Sequence, residues 1–325
     1  MSISLATFLL RQTISAAAPM VLAGLGELTA ELTGVIDIGI EGIMLSGALA
    51  AFLASFSSGH GLIGLGAGIL VGALMAGIFA ASCIGLGTDQ IVVGTAINLL
   101  ALGATGTFWM LFQNWTQNHN LVIHLSQTEA FTRLPIPWLE HIPLIGPAIF
   151  DQYALVYVTA VAALIVAWIL NRTRMGLVIK GLGDSPETCA AAGIRVNLAR
   201  TLATLFAGGC AGAAGAYLSI MQTHTFAQNM TDGIGFVVLS LVIFGRWTVS
   251  GLIAGCMLFG AINSLQQTLQ TARYTSQSPI LHAMRHLPFE LFQMLPYVAA
   301  LLALAVFAGS RSGPRYLGKN WLASR

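Results

Sequence analysis

Residues 34–47 read Gly34-Val35-Ile36-Asp37-Ile38-Gly39-Ile40-Glu41-Gly42-Ile43-Met44-Leu45-Ser46-Gly47, an apolar stretch that carries two carboxylates. Asp37 and Glu41 are four apart, so a helix through both would set them on one face. Glu27 and Glu31 lie just before the stretch at the same spacing. An acid near a bilayer's centre costs roughly 2.5–3.5 kcal/mol on insertion scales, so such side chains are kept against protein or water. Two uses are open to them. They can cap helix ends at the interface, or they can sit in a glycine-broken helix beside a polar path.

The surrounding chain of 325 residues is 56% hydrophobic and 8% charged, with a mean hydropathy of +0.80. Ordinary soluble domains are about 25% charged, so this much apolar surface calls for lipid around it. Long apolar runs between turn signals indicate helices, because a barrel would alternate in shorter strands. The expected fold is an all-α polytopic membrane protein, residues 1–325 forming a single transmembrane domain. Span length gives about eight to ten transmembrane helices, some broken or re-entrant. A net charge of +2 is too small to suggest nucleic acid. Cys83, Cys189, Cys210 and Cys256 are scattered without a C-x-x-C pair and read as free buried thiols. The N-terminus lacks a basic segment and Arg11 interrupts its apolar run, so a retained first helix is expected despite the faintly cleavable Ser15-Ala16-Ala17-Ala18.

Outward from the opening stretch, apolar runs fall at about 5–26, with Pro19 inside, and at 40–56, 62–86 and 91–112. The third holds Gly68 and Gly72, a spacing that lets helices approach closely. Residues 113–150 are polar and proline-bearing with Arg133 as their one cation, and read as an outer loop. A run at 153–170 precedes residues 171–200, which carry Arg172, Arg174, Lys180, Arg195 and Arg200 and read as cytoplasmic. Further runs cover 202–221, with Gly208 and Gly212 at packing spacing, then 234–244, 249–265 and 289–308; residues 222–233 and 270–288 read as outer. The 234–244 run is short for a span of about 20 residues and reads as a half-helix or as one extended by Thr231-Asp232. The tail, 309–325, carries Arg311, Arg315, Lys319 and Arg325. With Arg246, ten of the 14 basic residues fall on one side, which orients the second half. Parity then puts the N-terminus outside unless a split helix near residues 34–42 reverses it. Thr88-Asp89-Gln90-Ile91 and Thr231-Asp232-Gly233-Ile234 echo each other as helix openings; ordinary capping explains this, and so would an inverted repeat.

Chemistry-bearing motifs are few. No G-x-x-x-x-G-K-[ST] phosphate loop, H-E-x-x-H or G-x-S-x-G occurs, so solute movement driven by ATP would need an ATPase on another polypeptide. His282, His286 and Glu290 have a helical metal-ligand spacing, but Pro288 interrupts it and no metal site is expected. In the inner loop, Asp184 or Ser185 can cap a helix opened by Pro186, and Gly193 can end it. Such a helix of two to three turns would lie along the membrane surface, as an ordinary surface helix or as one docked in a partner's groove.

At these residues the chain resembles permease subunits of bacterial ATP-binding-cassette (ABC) importers in the branched-chain amino acid and simple-sugar class, nearest the nucleoside and simple-sugar permeases. The resemblance rests on the 34–42 stretch, where that branch reads G-V-x-N-I-G-x-E-G, with Asp37 here in place of asparagine. It continues through Asp89-Gln90-Ile91-Val92-Val93-Gly94 to Ile97-Asn98, Gly176-Leu177, Gly183-Asp184-Ser185-Pro186, Ala192-Gly193-Ile194, Gly233-Ile234-Gly235-Phe236 and Ile243-Phe244-Gly245-Arg246-Trp247. It covers roughly residues 10–310. It implies a multi-pass protein of the bacterial cytoplasmic (inner) membrane that is not itself an enzyme and holds no cofactor. ATP and Mg would sit on a cytoplasmic ABC ATPase. The other implied partners are a second permease subunit, a paralogue, and an extracytoplasmic solute-binding protein. The ATPase-coupling residues would be Asp184, Ser185, Pro186, Glu187, Ala191, Gly193 and Ile194. The candidate translocation path comprises Asp37, Glu41, Asn98 and Phe236.

The function so implied is inward passage of a nucleoside or related small polar solute by alternating access. The same permease type could instead serve a simple sugar, a branched-chain amino acid or a urea-like solute. A self-contained secondary transporter would need a coupling-ion site, which Glu27, Asp37 and Glu41 could supply; the docking-like loop argues against it. A membrane-embedded enzyme lacks a nucleophile, base or metal constellation. An ionised carboxylate only accepts hydrogen bonds, so an Asp37 facing the path would alter solute preference; a structural role is preferred, because its neighbours are glycines. For Asn98, bonding to a neighbouring helix is preferred.

Overall fold

The computed structural model describes residues 5–122, 133–135, 146–275, 294, 298 and 313–321. The last apolar run apart from residues 294 and 298, the 282–290 histidine spacing and most of the 123–145 stretch lie outside the described residues. Within them the helices are α1 (Leu5–Leu32), α2 (Ile40–Ser58), α3 (Gly61–Ala80), α4 (Gln90–Asn118), α5 (Gly146–Ile149), α6 (Ala154–Arg172), α7 (Arg174–Asp184), α8 (Pro186–Ala191), α9 (Val196–Ala216), α10 (Ile234–Phe244) and α11 (Val249–Thr275). Wider π-helical segments of five and six residues continue α3 and α9, at Ala81–Gly85 and Tyr217–Gln222. Strands β1 (Arg133–Pro135) and β2 (Asp151–Tyr153) pair antiparallel beside the start of α6.

Among the described residues, seven helical segments are long and apolar enough to cross a membrane. α10 is the exception: its 11 residues rise about 16 Å at 1.5 Å each, half the ~30 Å hydrocarbon core. The all-α membrane fold read from hydropathy is the fold observed.

The centre of the bundle is where α2, α3 and α9 meet backbone to backbone. A Cβ on Gly72 would lie 2.8 Å from the Cα of Gly212, and one on Gly47 would lie 2.6 Å from that same Cα. The paired glycines at 68/72 and 208/212 thus pack the two helices that the sequence suggested, against each other. Beyond this crossing, Phe52, Trp109, Phe112 and Phe226 make edge-on ring contacts at 5.2–6.0 Å. Ser15 Oγ and Tyr217 Oη bond at 2.8 Å, and Arg11 pairs with Asp151 at 2.8 Å, tying α1 to α9 and to the start of α6.

Three expectations are corrected. Asp37 is not helical: α1 runs six residues past its expected end and the chain turns at Gly34 (φ 93°), so residues 33–39 are irregular and α2 begins only at Ile40. Asp37 and Glu41 therefore do not share a helix face, and Glu27 and Glu31 are buried inside α1. Asp184 does not cap the helix opened by Pro186; it completes α7, and Ser185 alone separates α7 from α8. The outer loop begins later than residue 113, because α4 continues to Asn118.

The two Thr-Asp openings also differ in detail. Asp89 caps α4, its Oδ1 accepting from Ile91 N–H at 2.9 Å and Val92 N–H at 3.0 Å. Asp232 gives α10 no such cap; Gly233 (φ 82°) leads into that helix, and its N-terminal amides find their acceptor elsewhere.

Candidate functional site

Residues 35–39 and the first turn of α2 leave backbone groups without helical partners, yet buried backbone groups must be paired. Side chains from α1, from α4 and from the stretch itself pair them. Ile36 N–H donates to Gln90 Oε1 at 2.9 Å, and Asp37 N–H to Glu27 Oε1 at 3.0 Å. Asp37 Oδ1 accepts from Gly39 N–H at 2.9 Å, turning the chain into α2. An asparagine oxygen could accept the same bond, so the carboxylate fits the position its resemblance gives to an amide. Asn98 of α4 uses both ends of its amide: Nδ2 donates to Ile38 C=O at 2.8 Å and Oδ1 accepts from Gly42 N–H at 2.7 Å.

Glu41 does the same for the half-helix. Its Oε1 accepts from Thr231 Oγ at 2.6 Å and Gly233 N–H at 2.9 Å, and its Oε2 from Gly235 N–H at 2.6 Å. A helix that starts inside the bundle leaves amide N–H groups and a partial positive charge without water to meet them. The carboxylate meets both. Gly235 is required here, because a Cβ would lie 2.7 Å from the Glu41 backbone.

Of the four path candidates, Asp37, Glu41 and Asn98 therefore converge on residues 36–42, with Asp37 and Glu41 buried and Asn98 half-buried. Phe236 adjoins Gly235 but turns outward and is 46% exposed, in one stripe with Ser240 and Ile243. Below this seam Trp247 Nε1 donates to Glu31 Oε2 at 2.6 Å, joining the turn after α10 to α1. Gln90, Thr231 and Trp247 carry no sequence signal of these roles. The readable hint was that four acids in apolar surroundings must each find donors.

We expect Asn98→Leu to leave Gly42 N–H and Ile38 C=O unpaired, at about 1–3 kcal/mol each. Asn98→Asp keeps the acceptor and loses the donor, so its unfolding midpoint in detergent should fall between wild type and Asn98→Leu. Equal midpoints for all three chains would refute this.

The 182–196 segment is built on a small apolar cluster. Leu182, Cys189 and Val196 are buried, and Ile194, Ala199 and Trp321 pack on them. Burial pushes the Cys189 thiol above its ordinary range, which leaves it a poor nucleophile. Pro186 is the first residue of α8 and is buried. Gly193 (φ 83°) ends the helix: its N–H bonds Ala190 C=O at 2.9 Å, and Ile194 N–H bonds Cys189 C=O at 3.0 Å. Asp184, Glu187, Ala191 and Gly193 are exposed, while Ser185 and Ile194 are half-buried. All seven expected residues are thus gathered around one short helix, itself shorter than the two to three turns expected.

The family profile described as "Branched-chain amino acid transport system / permease component" matches residues 9–306. A chain of Haloferax volcanii, provisionally named a glucose ABC transporter permease protein, is 36% identical over 82% of this chain and 79% of its own. A nucleoside ABC transporter permease protein of Lactococcus lactis subsp. cremoris is 31% identical over 94% of each chain. A guanosine ABC transporter permease protein of Bacillus subtilis is 30% identical over 96% of each. No solved structure matches significantly.

Proposed function

The chain belongs to the branched-chain amino acid transport system / permease component family and is a multi-pass permease subunit of an ABC importer; on that premise we propose that it passes a nucleoside inward through the cytoplasmic membrane. The observation that carries the solute is the similarity to nucleoside and guanosine permeases along nearly the whole chain. The geometry supports an uncharged solute: Glu41 already occupies the positive end of half-helix α10, which would otherwise favour an anion. A simple sugar is the second reading, favoured by the glucose-named relative.

Power comes from a separate ABC ATPase that binds ATP and Mg, docked on α8 through Asp184, Glu187, Ala191 and Gly193. A second, paralogous permease completes the channel, and an extracytoplasmic binding protein delivers the solute. Alternating access follows as α8 moves with the ATPase. The exposed stripe of Phe236, Ser240 and Ile243 faces the path or the paired subunit, where an aromatic ring suits a nucleobase.

Vesicles holding the chain with an ABC ATPase and a second permease subunit should take up labelled guanosine only with ATP inside and binding protein outside. ATP-driven glucose uptake without nucleoside uptake would transfer the proposal to the sugar. Gly193→Val places a β-branched residue at φ 83° and strains the end of α8 by about 1–2 kcal/mol. Uptake in that variant is expected to fall about tenfold, the factor that 1.4 kcal/mol represents. Unchanged uptake would count against docking at α8.

A further inference from the structure

The tail residues 313–321 are strapped across the cytoplasmic end of the bundle. Tyr316 N–H donates to Gly183 C=O of α7 at 2.8 Å, and Gly318 N–H donates to Gly34 C=O at 3.1 Å. Asn320 Nδ2 donates to Gly87 C=O at 2.6 Å and Thr88 C=O at 3.0 Å, in the turn before α4. Arg200, in the second turn of α9 and 2% exposed, stands under this strap. Its two terminal nitrogens donate to Leu182 C=O of α7 and Lys319 C=O of the tail, each at 3.3 Å. The Tyr316 hydroxyl donates to Glu187 of α8.

The layers are in van der Waals contact. A Cβ on Gly34 would lie 2.7 Å from the Arg200 guanidinium and 3.0 Å from Tyr316 O, and one on Gly183 would lie 2.9 Å from Pro314. There is no slack between the α7–α8 unit, the tail and the Gly34 turn, and interfaces packed this closely move as units rather than deforming. The Tyr316 bond holds the Glu187 carboxyl below the usual carboxylate range and pushes the phenol up, so at neutral pH acceptor and donor are in the states that the bond needs.

Resting on the reading of α8 as the ATPase-coupling helix, we propose that Arg200 and the 313–321 strap are positioning elements that clasp α8 to the Gly34 turn, so that a displacement of α8 is delivered to residues 35–42 and through Glu41 to the start of half-helix α10. The route is short and continuous: α8 and α7, the clasp, the Gly34 turn, the side-chain-paired 35–42 stretch, then the three donors held by Glu41. With the tail free, α7 would still meet the Gly34 turn through Arg200 and through the approach of Gly183 to Leu32 C=O, but the backbone bonds from Tyr316 and Gly318 that tie the two together would be lost.

The test compares Tyr316→Phe, Arg200→Lys and Arg200→Met in the full importer in vesicles. Tyr316→Phe removes one exposed bond and leaves the fold intact. Arg200→Lys keeps the charge but reaches one of two carbonyls. ATPase co-purification, ATP hydrolysis and guanosine taken up per ATP are read separately. The expected result is retained co-purification and hydrolysis with uptake per ATP lowered about fivefold or more in Arg200→Met, and smaller losses in the other two. Amide exchange at residues 34–37 and at 183 should rise together in Arg200→Met. Unchanged uptake per ATP overturns the clasp, and so does loss of co-purification, which would make the strap a docking surface. If the wild-type chain itself binds no ATPase, the coupling reading of α8 fails instead.

Discussion

Glu41→Ala is expected to destroy uptake and to destabilise the bundle by about 2–6 kcal/mol. The lower figure takes three interhelical hydrogen bonds at the ~0.6 kcal/mol average measured inside membranes. The upper takes buried donors left unpaired at about 1–3 kcal/mol each. The upper half of the range is favoured, because the Gly233 and Gly235 amides head a helix whose dipole also loses its counter-charge, and no other side chain bonds them among the described residues. Glu41→Gln keeps the shape but turns an NH2 group toward an N–H or hydroxyl donor, so it should fall between the two. Glu41→Asp is one methylene short of spanning Thr231 and Gly235. Thermal unfolding in detergent ranks the series as Glu, then Gln and Asp, then Ala. A shift of under about 2 °C for Glu41→Ala would refute the capping role.

The second large effect is steric. Gly212→Leu should yield no folded protein, and Gly212→Ala should destabilise by about 1–3 kcal/mol, the usual range for overpacking. A side chain at Gly212 points into α3, where its Cβ would lie 3.0 Å from the Cα of Gly72, and the same glycine receives Gly47 of α2. Backbone cannot rotate aside as a rotamer can. Gly66→Ala is the control: a Cβ there meets nothing within 4 Å, so its stability should match wild type. The measurement is the yield of monodisperse protein after detergent extraction. Folded Gly212→Leu at wild-type yield would mean that α3 and α9 part easily.

These two sites differ in how much of them could be read beforehand. The glycine spacing at 68/72 and 208/212 announced close helix packing, since four residues is one helical turn and a bare stripe needs only local sequence to recognise. The partner helix could not be read, because every apolar helix offers a similar surface. The acids at 27, 31, 37 and 41 announced buried charge needing donors. Asp37 and Glu41 suggested a shared helical face, yet Gly34 turns the chain and the two point into different networks.

By itself the sequence determined that this is a helical membrane protein, and that a short helix opened by Pro186 and closed by Gly193 follows the apolar run at 153–170. Hydropathy and capping act over a few residues, so they are written where they act. Tertiary structure alone decided that Glu41 caps a helix 194 residues away, that Asn98 holds an irregular backbone stretch together, and that Arg200 meets the tail. Those pairings join segments distant in the chain, and the need of a buried N–H or C=O for a partner specifies the chemistry of that partner without specifying its address.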